Sequence, residues 1–261
     1  MNRKLICGTA VLSLIILSAF MSPFFSTDAL TVNIAERLLP PSSLHLFGTD
    51  SLGRDLFSRV IAGSRISLSI ALLVCIISTA AGTAIGLLSR LGKNTDLILM
   101  RMCDGMKALP ASLLAVLLIL TLGGGRTGIV ISLAVVNIPQ TARLVRQRAV
   151  HIEKQTFVDV QRLMGYSELR ILFTTVLRHV KSTLLIQSCF IFTSSIIAEA
   201  GLSFIGAGLE AGTPSWGNIL REAKDVIYQA WWMIAFPAAF VFLTVLSLNL
   251  ISDGLRERDS V

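Results

Sequence analysis

The sequence predicts an all-α membrane protein with six transmembrane helices in a single domain, residues 1–261. Hydrophobic residues make up 53% of the chain and charged residues only 15%, whereas a soluble domain carries roughly 25% charged residues. The mean hydropathy is +0.73. Six segments are also long and apolar enough to cross a hydrocarbon core of about 30 Å. A water-soluble globule of this length would need far more polar surface.

The six predicted spans are approximately residues 5–27, 66–89, 97–122, 127–150, 183–209 and 226–252. The first, second and sixth carry no charged residue. The third begins with Arg101, Asp104 and Lys107, the fourth is apolar as far as Ala142, and the fifth contains only Glu199. Each therefore satisfies the length and composition of a membrane helix.

The first segment has an alternative interpretation. Arg3 and Lys4 precede its apolar run, as basic residues do in a secretory signal peptide. The run is long for such a peptide, and no small-x-small cleavage site follows it. We therefore expect a retained membrane anchor, which brings the number of spans to six.

The basic residues indicate the orientation. If the N-terminus is cytoplasmic, most Lys and Arg residues of the connections lie inside, so the positive-inside rule favours two cytoplasmic termini. The arginines of the first outer connection are the exception, and four acidic residues offset them: Asp28, Glu36, Asp50 and Asp55. Because basic residues lie between apolar segments, the net charge of +7 points to lipid headgroups and not to nucleic acid.

Three connections are predicted to contain structure. The first outer connection has a Pro40-Pro41 break and ends in an amphipathic helix starting near Asp55, lying on the membrane or on the protein's outer face. Residues 211–229 hold turn signals and a short outer helix. The coupling loop, about residues 151–181, holds an amphipathic helix that closes at Gly165, after which Ser167 caps a stretch leading into the fifth span.

Few polar groups lie at membrane depth. We expect Asp104 to pair with Arg101 or Lys107. Glu199 either sits a turn or two from the outer headgroups or contributes to a pathway or to packing, since a buried carboxyl is costly. Prolines predict kinks, which suit a gated pathway or static packing. The candidates for pathway or gate are Asp104, Pro110, Pro139, Glu199 and Ser203.

No catalytic or metal-binding pattern is apparent. The four cysteines form no C-x-x-C pair, and the three histidines show no ligand spacing. The sequence also contains no G-x-x-x-x-G-K-[ST] phosphate loop. We expect no catalytic site and no bound cofactor in this chain. An ion-driven secondary transporter or channel is one alternative for its function, and a membrane-embedded enzyme is a weaker one.

Several long motifs resemble one known family in the same order along nearly the whole chain. They are LFGTDSLGRDLFSRVIAGSRISL (46–68), RMCDGMKALPASLL (101–114), IIAEAGLSFIGAGLEAGTPSWGNIL (196–220) and NLISDGLRER (249–258). The chain resembles the inner-membrane permeases of ATP-driven (ABC) importers for dipeptides, oligopeptides and nickel. The family's E-A-A-x-x-x-G docking motif falls on residues 159–165, where only its acidic character and Gly165 are kept.

The resemblance implies partners and roles. The partners would be a second homologous permease, two cytoplasmic ATPase subunits that use ATP-Mg, and an extracytoplasmic solute-binding protein, all at a bacterial cytoplasmic membrane. Alternating access would carry peptides, nickel or metal-chelator complexes. The residues implied in ATPase coupling are Phe157, Val158, Asp159, Leu163, Gly165 and Tyr166. Those implied in contact with the binding protein are Asp50, Arg54, Asp55 and Trp216.

Overall fold

The structure is a computed structural model that describes residues 3–22 and 29–259. Its helices are α1 Arg3–Met21, α2 Leu56–Leu88, α3 Lys93–Lys107, α4 Ala111–Leu122, α5 Gly125–Glu153, α6 Thr156–Leu163, α7 Leu177–Phe204, α8 Trp216–Ala223 and α9 Trp232–Asp259. Within the described ranges the only β pairing is an isolated bridge between Thr49 and Asp55. The predicted all-α class is confirmed.

Five helical stretches are long and apolar enough to cross a membrane. They are Lys4–Met21, Leu56–Leu91, Gly125–Glu153, Glu168–Phe204 and Trp232–Glu257. A sixth candidate is the pair α3 and α4, which is bent by 92° between its two helices. Counting that pair as one span gives the six that the sequence predicts.

The third predicted span is therefore not a single kinked helix. Pro110 precedes α4 in an extended conformation, and the residue before a proline is disfavoured in the α region, so α3 ends before it. Pro139 behaves differently, because it is buried inside α5 and the helix continues through it. Proline therefore interrupts the helix of the third predicted span, whereas the helix of the fourth predicted span continues through its proline.

The predicted amphipathic surface helix near Asp55 is also wrong as a separate element. Residues 56–62 are the first turns of α2, which runs unbroken for 33 residues. Leu56 and Val60 are fully buried against neighbouring helices. Asp55 begins the helix by accepting a hydrogen bond from the backbone N–H of Ser58 at 2.8 Å. Of the two predicted positions, on the membrane or on the protein's outer face, neither is observed, because these residues form part of the core.

Other helix bounds differ from the predicted spans. The fifth span starts earlier than residue 183, since the short helix Glu168–Arg170 and a π-helical stretch Ile171–Val176 run directly into α7. That helix ends at Phe204, and Gly206 follows with φ +87°. The last span starts at Trp232 instead of residue 226. Residues 23–27 of the first predicted span, together with Asp28, lie outside the described residues.

Close helix packing on α2 and α5 organises the core. Here α2 packs chiefly on α5, α1 on α9, and α7 on both α2 and α9. Gly82 and Gly86 permit the closest approach, since a Cβ at Gly82 would stand 2.5 Å from the Cβ of Thr141. Small residues at helix interfaces allow this in membranes.

The bundle has two distinct ends. At the α6 end, Arg90 after α2 pairs with Glu153 of α5 at 2.8 Å. At the α8 end, the indole N–H of Trp232 donates to the Thr49 carbonyl at 3.1 Å. Lys4 pairs with Glu257 at 2.6 Å, so α1 begins where α9 ends. Since α9 starts at the α8 end, both described termini lie at the α6 end.

Candidate functional site

The short helix α6 combines one buried residue with an exposed apolar surface. Val158 is fully buried, whereas Leu163 is 89% exposed and Phe157, Val160 and Met164 are also exposed. These exposed apolar residues lie on a segment outside the membrane spans, which makes α6 a candidate interaction surface. The sequence-predicted coupling residues Phe157, Val158 and Leu163 therefore divide into one anchor and two residues available to a partner.

The expected end of α6 at Gly165 is confirmed. Gly165 has φ +82°, its N–H donates to the Arg162 carbonyl at 3.0 Å, and the N–H of Tyr166 donates to the Gln161 carbonyl at 3.1 Å. These two bonds form a Schellman motif, which favours glycine at the left-handed position. The predicted cap at Ser167 is also present, since its hydroxyl accepts from the backbone N–H of Arg170 at 3.4 Å.

Charged side chains brace the end of α6. Arg162 donates to Glu168 at 2.8 Å and to Asp159 at 3.2 Å. The hydrogen bond to Glu168 is the main cause that raises the pKa of Arg162 above its usual value. Asp159 keeps 63% of its side chain exposed. The guanidinium of Arg170 lies 4.4 Å from the ring centroid of Tyr166, so Tyr166 is held at the turn.

Two side-chain contacts join α6 to the start of the α7 span. The hydroxyl of Thr175 donates to the Gln161 side-chain oxygen at 3.0 Å. The ring of Phe157 stacks on His179, with centroids 5.3 Å apart. Thr175 lies in the π-helical stretch Ile171–Val176, a geometry that is rare and frequent at functional sites. The two contacts therefore connect α6 to this stretch and to the first turn of α7.

At the α8 end, four charged side chains form a compact network. The Asp50 carboxylate, fully buried, accepts from Arg54 at 2.6 Å and from Arg59 at 2.5 Å. Both arginines also donate to Glu222 of α8, at 2.7 Å and 2.5 Å. Two cations and two anions balance, and buried charges are tolerated when they are paired and hydrogen-bonded in this way. The network therefore links α8 to the start of α2 and to the connection that precedes it.

The predicted binding-protein contacts are mostly buried. Asp50 and Arg54 belong to the network, and Trp216 is fully buried with its indole N–H donating to the Val60 carbonyl at 3.1 Å. Asp55 is 17% exposed and lies 3.0 Å from His45. In this chain alone most of these side chains are therefore not accessible to a partner. Leu44, in the same connection before α2, is 88% exposed.

Glu199 is fully buried and joins three elements. It accepts hydrogen bonds from Ser67 of α2 at 2.9 Å and from Ser203 of α7 at 3.0 Å. The Ser67 hydroxyl also accepts from the backbone N–H of Trp216 at 3.4 Å. Of the two interpretations that the sequence left open, the structure favours packing inside the bundle over exposure to headgroups.

Asp104 pairs with Arg143 of α5, not with Arg101 or Lys107. The reason is that α3 lies along the basic end of α5, where Asp96 also pairs with Arg146. Asp104 and Pro110 are exposed, whereas Pro139 is buried inside α5. These pathway candidates therefore do not converge on one site, and only Glu199 and Ser203 are in contact.

Sequence reasoning did not single out Arg59, Glu222, Gln161, Thr175 or His179. The spacing of Asp50 and Arg54 is an available signal, since residues four apart can pair across one turn. Glu222 lies 163 residues from Arg59 in the chain. No local pattern predicts a contact over that separation.

Comparison with known proteins decides the family. Residues 77–258 match the family described as the inner membrane component of binding-protein-dependent transport systems. The chain belongs to this family. It is therefore a multi-spanning permease subunit of an ABC importer, a class in which separate ATPase subunits hydrolyse ATP.

Curated relatives match the permease over most of its length. A putative peptide transport system permease of Brucella abortus is 37% identical over 98% of this chain and 87% of its own. The di/tripeptide transport system permease DppC of Pseudomonas aeruginosa is 38% identical over the same shares. The glutathione transport system permease GsiD of Escherichia coli is 41% identical over 83% of this chain and 72% of its own.

Solved structures match the fold of the permease. The inward-facing MetNI methionine ABC transporter has a TM-score of 0.61 at 16% identity, over 77% of this chain and 97% of the matched chain. An amino acid ABC transporter has a TM-score of 0.56 at 18% identity, over 77% and 94%. At these identities the likeness concerns the fold, which is that of a type I importer permease.

Proposed function

We propose that this permease carries peptides as one subunit of an ATP-driven importer. The observation that carries the proposal is the match over 98% of the chain to permeases named for peptide and di/tripeptide transport. The match to a permease named for glutathione transport supports the same substrate class, because glutathione is itself a small peptide. This favours peptides over the nickel and metal-chelator substrates that the sequence left open.

The partners follow from the family. A second permease would complete the pathway, two ATPase subunits using ATP-Mg would dock at the α6 end, and a solute-binding protein would dock at the α8 end. The α6 end is then cytoplasmic and carries both termini. The concentration of Lys and Arg in the connections at that end supports this orientation.

The proposed coupling path runs along α7. An ATPase that binds the exposed residues Phe157 and Leu163 would displace α6. The displacement would then reach the π-helical stretch and the start of α7 through two contacts, Gln161–Thr175 and Phe157–His179. From there α7 is roughly 42 Å long at 1.5 Å per residue, and Glu199 at its far end contacts α2 and the N-terminus of α8 through Ser67. A shift of α7 would thus change the closure at the α8 end.

The test uses the complete transporter in proteoliposomes with its binding protein. We expect Gly165→Val to reduce both peptide uptake and the ATPase activity stimulated by the loaded binding protein, because a branched residue is strained at φ +82°. Asp159→Ala should reduce stimulation at unchanged assembly. Gly105→Ala, at a site with open space around it, is the control.

Two outcomes would contradict the proposal at different points. Wild-type stimulation and uptake in both variants would refute the role of α6. Uptake that continues without ATP and stops when a protonophore collapses the gradient would refute the ATP-driven mechanism and favour an ion-driven transporter.

A further inference from the structure

A groove opens between α1, α2 and α7 near the α8 end of the bundle. It encloses about 390 Å³, and its walls are mostly apolar. Phe20 is 76% exposed and Leu72 50% exposed at its edges. The lining residues are Ile16, Ala19, Phe20, Arg65, Leu68, Ser69, Leu72 and Phe192.

One arginine, Arg65, lines this groove, and a second, Arg126, contacts the lining residue Ser69. Arg65 is exposed at the point where the charge-free part of α2 begins, and among the described residues it has no hydrogen-bond or ion-pair partner. Arg126, at the start of α5, donates to the Ser69 hydroxyl at 2.9 Å. Ser69 follows Arg65 by one helical turn, so Arg65 and the residue that Arg126 contacts lie on the same face of α2, about 6 Å apart along its axis.

Other charges near the two arginines do not neutralise them. Glu210 is the acidic residue beside the start of α5, with its carboxylate 3.6 Å from where a Cβ of residue 125 would stand. Within the described part of the chain its carboxylate forms no ion pair with Arg126, whose guanidinium donates to the Ser69 hydroxyl. Two guanidinium groups without a described carboxylate partner therefore lie beside an apolar groove.

We propose that Arg65 and Arg126 bind the phosphate of an anionic phospholipid whose acyl chain lies in this groove. Guanidinium groups bind phosphate oxygens through paired N–H donors. Two guanidinium groups beside an apolar groove match the anionic headgroup and the acyl chain of one phospholipid. The apolar walls select a lipid over free phosphate, which would gain nothing from Phe20 or Leu72. This site goes beyond the proposed transport function and does not depend on the substrate.

The test measures lipid retention by native mass spectrometry of the assembled transporter, titrated with phosphatidylglycerol or phosphatidylcholine. We expect Arg65→Gln with Arg126→Gln to bind phosphatidylglycerol about 25-fold more weakly, the product of two roughly fivefold losses. Arg65→Lys with Arg126→Lys should retain most of the binding. Arg37→Gln, which removes an exposed arginine elsewhere at the α8 end, should leave it unchanged.

A second arm separates the lipid from other occupants. We expect Leu72→Trp, which fills the groove and keeps both arginines, to weaken retention, and excess inorganic phosphate to leave the lipid bound. Equal retention in the double Gln variant, displacement by inorganic phosphate, or equal retention of phosphatidylcholine would overturn the proposal. So would crosslinking of Leu72→Cys to the second permease in the assembled transporter, since a protein helix would then fill the groove.

Discussion

At the scale of single residues, burial decides which ion pairs matter. Arg59 is 1% exposed between the Asp50 carboxylate, which is fully buried, and Glu222, which is 23% exposed. Lys4 and Glu257 form a pair of similar length, but about half of each side chain is exposed. Breaking a buried pair leaves an uncompensated charge, whereas most exposed pairs contribute little to stability.

We therefore predict different outcomes for two neutralising substitutions. Arg59→Gln should lower the free energy of unfolding by about 3 kcal/mol, because Asp50 keeps a buried negative charge with one cation fewer. Lys4→Gln should leave the free energy of unfolding unchanged. Thermal unfolding of the purified chain in detergent measures both, and equal effects of the two substitutions would contradict the assignment of the network as a structural clamp.

At the scale of helices, the contact between α2 and α5 depends on two glycines, Gly82 and Gly86. A Cβ at Gly86 would stand 2.7 Å from the Ala142 carbonyl oxygen and 2.7 Å from the Cβ of Val145. Those are backbone and branched groups that cannot move aside easily. Gly105 of α3, in contrast, has no neighbouring atom within 4 Å of the position that a Cβ would take. Of Gly82, Gly86 and Gly105, only the two glycines of α2 are therefore required by packing.

The contrast between Gly86 and Gly105 gives a second prediction. Gly86→Ala should destabilise the chain by about 1–3 kcal/mol, because the added methyl group overpacks the α2–α5 interface. Gly105→Ala should be neutral or stabilise by up to about 1 kcal/mol, since glycine disfavours a helix interior. Thermal unfolding in detergent again measures the difference, and a stabilising Gly86→Ala would show that the two helices can separate at no cost.

The link between α6 and α7 gives a third prediction. Thr175→Val keeps the side-chain volume but removes the hydrogen bond to Gln161, so we expect about fivefold fewer peptides transported per ATP hydrolysed. Thr174→Val is the matched control, because its hydroxyl bonds only within its own segment and to its neighbour. Equal transport stoichiometry in the two variants would contradict a coupling role for Thr175.

These elements also show how far the sequence alone could lead. Local signals predicted α8, the left-handed turn at Gly165 and the cap at Ser167, because each depends on neighbours within a few residues. The merger of residues 56–62 into α2 was missed, since the apolar face of an amphipathic helix does not reveal whether it meets lipid or protein. The Asp104–Arg143 pair was missed for a related reason: it forms between helices whose crossing the sequence does not specify.

At the scale of the whole molecule, the bundle places the two proposed docking surfaces at opposite ends. Leu163, 89% exposed, lies at the α6 end, and Leu44, 88% exposed, lies in the connection packed at the α8 end. Lys4 and Glu257 lie at the α6 end. An importer needs this separation, because the binding protein and the ATPases act on opposite sides of the membrane.

The proposed orientation gives the last prediction. In a variant lacking the four native cysteines, a membrane-impermeant thiol reagent added outside intact cells with a permeable outer envelope should label Leu44→Cys but not Leu163→Cys or Lys4→Cys. When the permease is produced without the ATPase subunits, all three should be labelled after the membrane is disrupted, because each position is exposed in the chain alone. Labelling of Leu163→Cys in intact cells would reverse the orientation. Labelling of Lys4→Cys without Leu163→Cys would instead contradict the antiparallel packing of α1 on α9, since that packing keeps the N-terminal end of α1 beside Glu257 at the α6 end.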